Sequence, residues 1–145
     1  MIFEDVKQFK YQLSEQLTIK VYNRTIKKGI ICDGKKIKVG LQCKSLRLYG
    51  FSLGASSEGE LILRLPRSTI KSNVAFGDYR DTMSDKIPRL MEAERQYYQQ
   101  GNRLAFKSKS ANIYFNEYVF EEKDILKSIV LPYNPLLVII MIELN

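Results

Sequence analysis

The chain has 145 residues, of which 45% are hydrophobic and 27% charged, a composition that indicates one folded domain spanning 1–145 and excludes a disordered chain. It contains no histidine, which removes the commonest general base and most zinc and copper sites. The net charge of +7 is concentrated, because residues 19–71 carry 12 Lys or Arg against three Asp or Glu. Such a segment attracts polyanions, although a lysine-rich, well-solvated surface has the same composition.

The N-terminal residues are predicted to form a helix followed by a strand. Apolar side chains recur at helical spacing between Phe3 and Leu17, which predicts an amphipathic helix over 2–17. Residues 18–24 alternate between apolar and polar side chains, the pattern of a half-buried strand. Acidic residues stand where a secretory signal would be basic, so we expect a cytoplasmic protein.

A β-hairpin is predicted over 26–42. Asp33-Gly34 lies between two alternating runs, which favours a two-residue type I′ turn with Cys32 facing Lys35. The alternation changes phase near 42–45, which predicts a bulge or a strand break there. Cys32 and Cys43 are about 36 Å apart along the extended chain, too far for a disulfide, and we expect both thiols to be free.

Glycine and serine dominate 50–59, which we interpret as the hairpin connection between strands at 46–49 and 60–65. The segment lacks the glycine spacing of known phosphate-binding loops. Residues 79–100 are predicted to form a central helix, with Pro88 near its start because proline is tolerated only in the first turn.

The C-terminal part is predicted to be mostly extended. Aromatic and β-branched residues over 112–120 indicate a strand, whereas 121–131 favours a short helix and leaves a strand open. Residues 136–142 contain no polar side chain, which is typical of a strand covered on both faces, by the chain's own helices or by another subunit. We therefore expect an α+β fold with an N-terminal helix, an antiparallel, twisted or barrel-like β-meander, a central helix and a buried C-terminal strand.

The outward face of the predicted sheet is the best candidate for a functional site. Lys and Arg neutralise phosphates, and tyrosine rings offer stacking surfaces for unpaired bases. The strand parities bring a basic and aromatic set to this face, with two further cations just beyond the last strand: Lys20, Tyr22, Arg24, Lys27, Lys36, Lys38, Arg47, Tyr49, Arg64, Arg67 and Lys71.

Other groups of residues are weaker candidates for a functional site. Asp78, Asp81 and Asp85 share a face of the predicted central helix, but carboxylates at a helix start are already explained by the helix dipole. We therefore expect no metal and no cofactor. The two cysteines lie on the apolar face of the predicted hairpin, where cysteine behaves as a small hydrophobic residue.

These observations favour a non-enzymatic binding module for nucleic acid or another polyanion such as an acidic protein surface, with no membrane partner. The alternative is a structural or interaction subunit: an assembly protein of a virion or mobile element, or an inhibitor that docks on a larger partner. Its motivation is the buried terminal strand, through which the chain would form a homo-oligomer. An enzyme relying on carboxylates is the least favoured class.

Overall fold

The computed structural model describes the backbone of residues 15–21, 24–26, 29–79, 89–99 and 107–145, and the side chains of residues 29–79 and 112–145. This part of the chain is all-β and forms one curled antiparallel sheet, a half-barrel, of nine strands. The predicted α+β class is therefore wrong, since the described residues include no helix. It follows that no helix long and apolar enough to cross a membrane occurs among them.

The strands follow one another with short connections through most of the chain. Their bounds are β1 Glu15–Val21, β2 Arg24–Ile26, β3 Ile30–Asp33, β4 Lys36–Ser52, β5 Ser57–Arg64, β6 Thr69–Phe76, β7 Arg89–Gln99, β8 Lys107–Val130 and β9 Tyr133–Leu144. Neighbouring strands in the sheet are ordered β2-β1-β7-β8-β4-β9-β3, and β5 joins the sheet by pairing with both β6 and β8.

Strand β8 organises the sheet because it is 24 residues long and pairs with three other strands. One edge pairs with β4 from Tyr114 to Val130. The other edge pairs first with β7, as far as Tyr114, and then with β5 from Ser128 onward. The sheet is curled around this strand, and strand twist together with bulges such as those of β4 produces such curvature.

Strand β4 contains two irregularities in its pairing with β8. The first lies between Lys38 and Leu41, where Gly40 adopts a φ of 67°. The second lies between Cys43 and Ser45 and confirms the break predicted near 42–45. The carbonyl oxygen of Asn145 accepts hydrogen bonds from two β4 amides at this point, so the backbone remains satisfied.

The core lines the concave face of the sheet and includes five of the twelve residues of the terminal strand. Leu137, Val138 and Ile139 are consecutive and each at most 1% exposed, which confirms the predicted burial for this part of the run 136–142, whereas Leu136 is 42% exposed. No helix covers the strand among the described residues, and its two edges pair with β4 and β3 of the same sheet. Gly50 permits the close approach of β4 to β9, since a Cβ there would overlap the carbonyl oxygen of Val138.

The predicted hairpin over 26–42 is wrong about which strands pair and right about which side chains are buried and which are exposed. A turn does occur at Gly34, whose φ is 81°, but β3 pairs with β9 and β4 pairs with β8. The Gly34 amide donates to the carbonyl of Pro132 at 3.0 Å, so the turn is joined to the corner between β8 and β9. Ile30 and Cys32 are nevertheless buried and Lys36 is exposed, because alternation reports burial and not the identity of the partner strand.

The expected hairpin across 50–59 is also wrong in its pairing. Strand β4 continues to Ser52, and only 53–56 separate it from β5. Strand β5 then pairs with β6 through the turn that follows Arg64, and not with β4.

The predicted helices are wrong wherever the structure describes them. Residues 89–99 of the predicted central helix form β7, which pairs with β1 and β8, while 80–88 lie outside the described residues. Residues 15–17 of the predicted N-terminal helix belong to β1, and 1–14 are likewise outside. The segment 121–130 is extended within β8. Helix propensity is worth only tenths of a kcal/mol per residue, roughly, so strand edges that lack partners override it.

Two polar side chains of β8 hold the edge of β6 against the concave face. The amide of Asn116 makes two hydrogen bonds with the backbone of Ala75, accepting from its N–H at 2.8 Å and donating to its carbonyl at 2.9 Å. The hydroxyl of Tyr118 donates to the carbonyl of Asn73 at 2.6 Å. These contacts replace a neighbouring strand for β6, whose other edge pairs with β5.

We predict that Asn116→Leu lowers the free energy of unfolding by about 2–6 kcal/mol, because two backbone groups of Ala75 lose their partners at about 1–3 kcal/mol each. Chemical denaturation followed by circular dichroism measures the change. Asn73→Leu is the matched control, since the exposed Asn73 side chain bonds to Glu58 and to no other residue whose side chain is described, and its effect should stay within about 0.5 kcal/mol. Equal effects of the two substitutions would contradict the role given to Asn116.

Candidate functional site

An open cleft of about 580 Å³ lies on the outer face of the sheet, where β4, β8 and β5 run side by side. Four basic side chains line it, and all four are exposed. We call it the basic cleft, defined by Lys36, Lys38, Arg64 and Lys127 together with Thr69 and Ser128.

Strand register explains why these side chains meet. Residues paired directly across antiparallel strands project from the same face of a sheet. Two rows therefore cross β4, β8, β5 and β6 on one face: Lys38, Ser128, Arg64 and Thr69 in the first, and Lys36, Val130, Ile62 and Lys71 in the second.

Within the part of the chain whose side chains are described, the charge of the basic cleft is uncompensated. No acidic residue of that part lines the cleft, and none forms an ion pair with its four cations. Clustered charge of one sign along a concave surface produces a local field that raises the concentration of anions. The arrangement is therefore chemically suited to hold an anionic ligand.

Lys127 and Ser128 are the residues that sequence reasoning missed. The pattern over 121–131 favours a short helix, and the basic excess of the sequence lies in residues 19–71, so neither feature indicates a basic site here. The alternative strand interpretation contains the signal, because it makes 121–131 available for pairing beside the basic strands. Only the pairing of β8 with β4 and β5 brings these two residues into the cleft.

Arg47 and Tyr49 lie outside the cleft, in a separate cluster on β4, β8 and β9. The Arg47 Nε lies 3.1 Å from the Glu117 carboxylate, and its guanidinium carbon is 5.8 Å from the centre of the Phe115 ring. The Tyr49 hydroxyl donates to Glu143 at 2.6 Å, and the residue is only 3% exposed. The cation is thus paired and the ring is covered, so neither extends the uncompensated surface.

The remaining predicted site residues are distributed over the sheet. Lys71 belongs to the row that also contains Lys36, and Arg67 is exposed in the turn between β5 and β6. Lys20 and Arg24 belong to β1 and β2, which join the sheet through β7, at the opposite end of β8 from the cleft. Tyr22 and Lys27 lie outside the described residues.

The cysteines and the aspartates do not provide a second site. Cys32 and Cys43 are buried free thiols, and burial, reinforced by Asp33, raises the pKa of Cys32 to about 12. A thiol with this pKa is a poor nucleophile near neutral pH. Asp78 is described while Asp81 and Asp85 are not, and within the described part of the chain no group of three potential metal ligands occurs.

No known protein family matches this chain, and no curated protein is similar to it in sequence. The chemistry of the protein is therefore inferred from the basic cleft itself: its charge, its shape and the residues that line it.

We predict that Tyr49→Phe lowers stability in a pH-dependent manner. The hydrogen bond from Tyr49 lowers the pKa of Glu143 below its usual 4.5, so it stabilises the fold above that pH and the stabilisation is lost as the pH falls through the pKa of the folded protein. The difference in unfolding free energy between wild type and Tyr49→Phe should be larger at pH 7 than at pH 3.

Chemical denaturation at the two pH values measures this difference, and carbon-detected NMR titration of the Glu143 carboxyl should show its pKa rising in the variant. Tyr133→Phe is the control, because that side chain is 87% exposed. A difference that is the same at both pH values would contradict the assigned hydrogen bond.

Proposed function

We propose that the protein is a binding module for nucleic acid that contacts the sugar-phosphate backbone through the basic cleft. The observation that supports the proposal is the convergence of four exposed cations from three adjacent strands on a surface without a described carboxylate. Lys and Arg side chains that neutralise phosphates release condensed counterions, which is the main source of sequence-independent affinity.

The absence of aromatic side chains among the residues that line the described cleft narrows the mode of binding. Base recognition on a single strand normally uses aromatic rings as stacking platforms. The tyrosine expected to serve this purpose, Tyr49, is covered and bonded to Glu143. Contacts to phosphates alone carry no sequence information, so the proposed binding is insensitive to base sequence.

The alternative, a structural subunit that assembles through its C-terminal strand, has less support. Strand β9 pairs with β4 on one edge and with β3 on the other. Both of its edges are therefore occupied within one chain, which leaves no free edge along the paired part of the strand for a second subunit. The described residues of the cleft provide cations and hydroxyls, with no carboxylate or histidine among them. This set is suited to binding an anion, a role that needs no catalytic group.

We predict that binding of a fluorescein-labelled 30-base-pair duplex weakens steeply with salt. Four phosphate contacts give a slope of log K against log salt of about −3.6, which is a loss of about 100-fold in affinity between 50 and 200 mM KCl. The double variant Lys38→Ala/Arg64→Ala should reduce the magnitude of the slope by about 2, because each removed contact contributes about 0.9. Fluorescence anisotropy at four salt concentrations measures these quantities.

Lys44→Ala is the matched control, since Lys44 is an exposed cation of the same strand outside the cleft. It should leave the slope unchanged within error. No binding tighter than about 10⁻⁴ M at 50 mM salt would overturn the proposal. Binding of poly-glutamate without binding of either duplex or single-stranded DNA would replace nucleic acid by an acidic protein as the partner.

A further inference from the structure

Ser128 is an unusual residue for the floor of a cleft that faces solvent. Its side chain is buried, with 3% of the residue exposed, although it belongs to the outer face of the sheet. Among the described residues, no group hydrogen-bonds its hydroxyl. Buried hydroxyls nearly always have a partner, and those that do not call for a specific explanation.

The surroundings of this hydroxyl indicate what the missing partner is. Ser128 pairs with Lys38 on one side and with Arg64 on the other, so its hydroxyl lies in a row between two exposed cations. Adjacent strands are about 4.8 Å apart, which places both basic side chains within reach of a group seated over Ser128. Lys127 adds a third cation to the same cleft.

A hydroxyl donor between cations suits a ligand that brings acceptor oxygens and negative charge. Hydrogen bonds to an ionised acceptor are roughly twice as strong as neutral ones, and a guanidinium binds tetrahedral oxyanions through two parallel N–H groups. A divalent cation does not fit, because no carboxylate lines the cleft in the described part of the chain.

We propose that Ser128, Lys38 and Arg64 form the seat for one phosphate group, with the Ser128 hydroxyl donating to a phosphate oxygen between the two cations. This inference deepens the proposed function and rests on it for the nature of the ligand. The phosphate comes either from an internal phosphodiester of the nucleic acid or from a terminal phosphate monoester. The same seat also accepts inorganic phosphate, which serves as the probe.

Ser128→Ala tests the seat without endangering the fold. The substitution removes a hydroxyl that makes no hydrogen bond with described groups, so we expect a thermal midpoint in phosphate-free buffer equal to or above that of wild type. Titration of ¹⁵N-labelled wild-type protein with inorganic phosphate, at ionic strength held constant with KCl, should shift the amides of 38, 64 and 127–129 along one saturable curve. Ser128→Ala should weaken that binding at least fivefold.

Ser72→Ala is the matched control, because it removes a half-buried hydroxyl on β6 that does not line the cleft. It should leave the phosphate affinity unchanged. Equal phosphate affinity of Ser128→Ala and wild type would overturn the seat, as would amide shifts that are linear in phosphate and spread over the whole surface.

The failure of the seat and that of nucleic-acid binding are distinguishable. If duplex binding depends on Lys38 and Arg64 but not on Ser128, the seat is wrong and the proposed function stands. If inorganic phosphate binds in a Ser128-dependent manner while neither duplex nor single strand binds, the seat stands and the proposed function is wrong. A Ser128 effect only on 5′-phosphorylated oligonucleotides supports the seat with a terminal monoester, and an equal effect on 5′-hydroxyl oligonucleotides supports it with an internal phosphodiester.

Discussion

The need to satisfy the backbone of one long strand on both edges governs this structure. Strand β8 pairs with β4 along one edge. Its other edge pairs with β7 up to Tyr114 and with β5 from Ser128, and the stretch between these two residues pairs with neither strand. In this interval Asn116 and Tyr118 use side chains to bond the edge of β6. A buried backbone group without a partner is costly, and these side-chain bonds satisfy backbone groups of β6 on the edge that faces away from β5.

The same curl divides the basic segment of the chain between two electrostatic environments. On β4, the register shift after Cys43 separates Lys36 and Lys38 from Arg47. Arg47 lies opposite Glu117 of β8 and Glu143 of β9, and forms its ion pair with Glu117. The lysines lie opposite Val130 and Ser128, which carry no charge. On β4, the lysines before the register shift therefore lack a described acidic partner, whereas Arg47 after it has one. We propose that the lysines contact the ligand.

Sequence patterns predicted which segments are extended and which side chains are buried better than they predicted which strands pair or where helices form. Alternation correctly indicated the strands at 36–42 and 60–65, aromatic and β-branched composition indicated the one at 112–120, and the phase change identified the irregularity after Cys43. The Asp33-Gly34 turn occurs without its hairpin because a turn sequence constrains a few dihedral angles, while the strand edges are free to choose other partners. Residues 89–99 look helical in isolation, and their pairing with β1 and β8 was invisible to any local pattern. Of the predicted site, Lys36, Lys38 and Arg64 come together as expected, whereas Arg47 and Tyr49 do not.

The sequence by itself determined the alternation of buried and exposed residues along the strands, where the positive charge is concentrated, and that the middle of the terminal run, 137–139, is buried. These properties depend on side-chain hydrophobicity at a period of two and are readable over a few neighbouring residues. Only the tertiary structure decided which strands pair, and with this that Lys127 and Ser128 join Lys38 and Arg64 in one cleft. Pairing between distant segments depends on the hydrophobic core that all strands form together and on the backbone hydrogen bonds that every strand edge requires. Both are properties of the whole chain, so a short stretch of sequence does not reveal them.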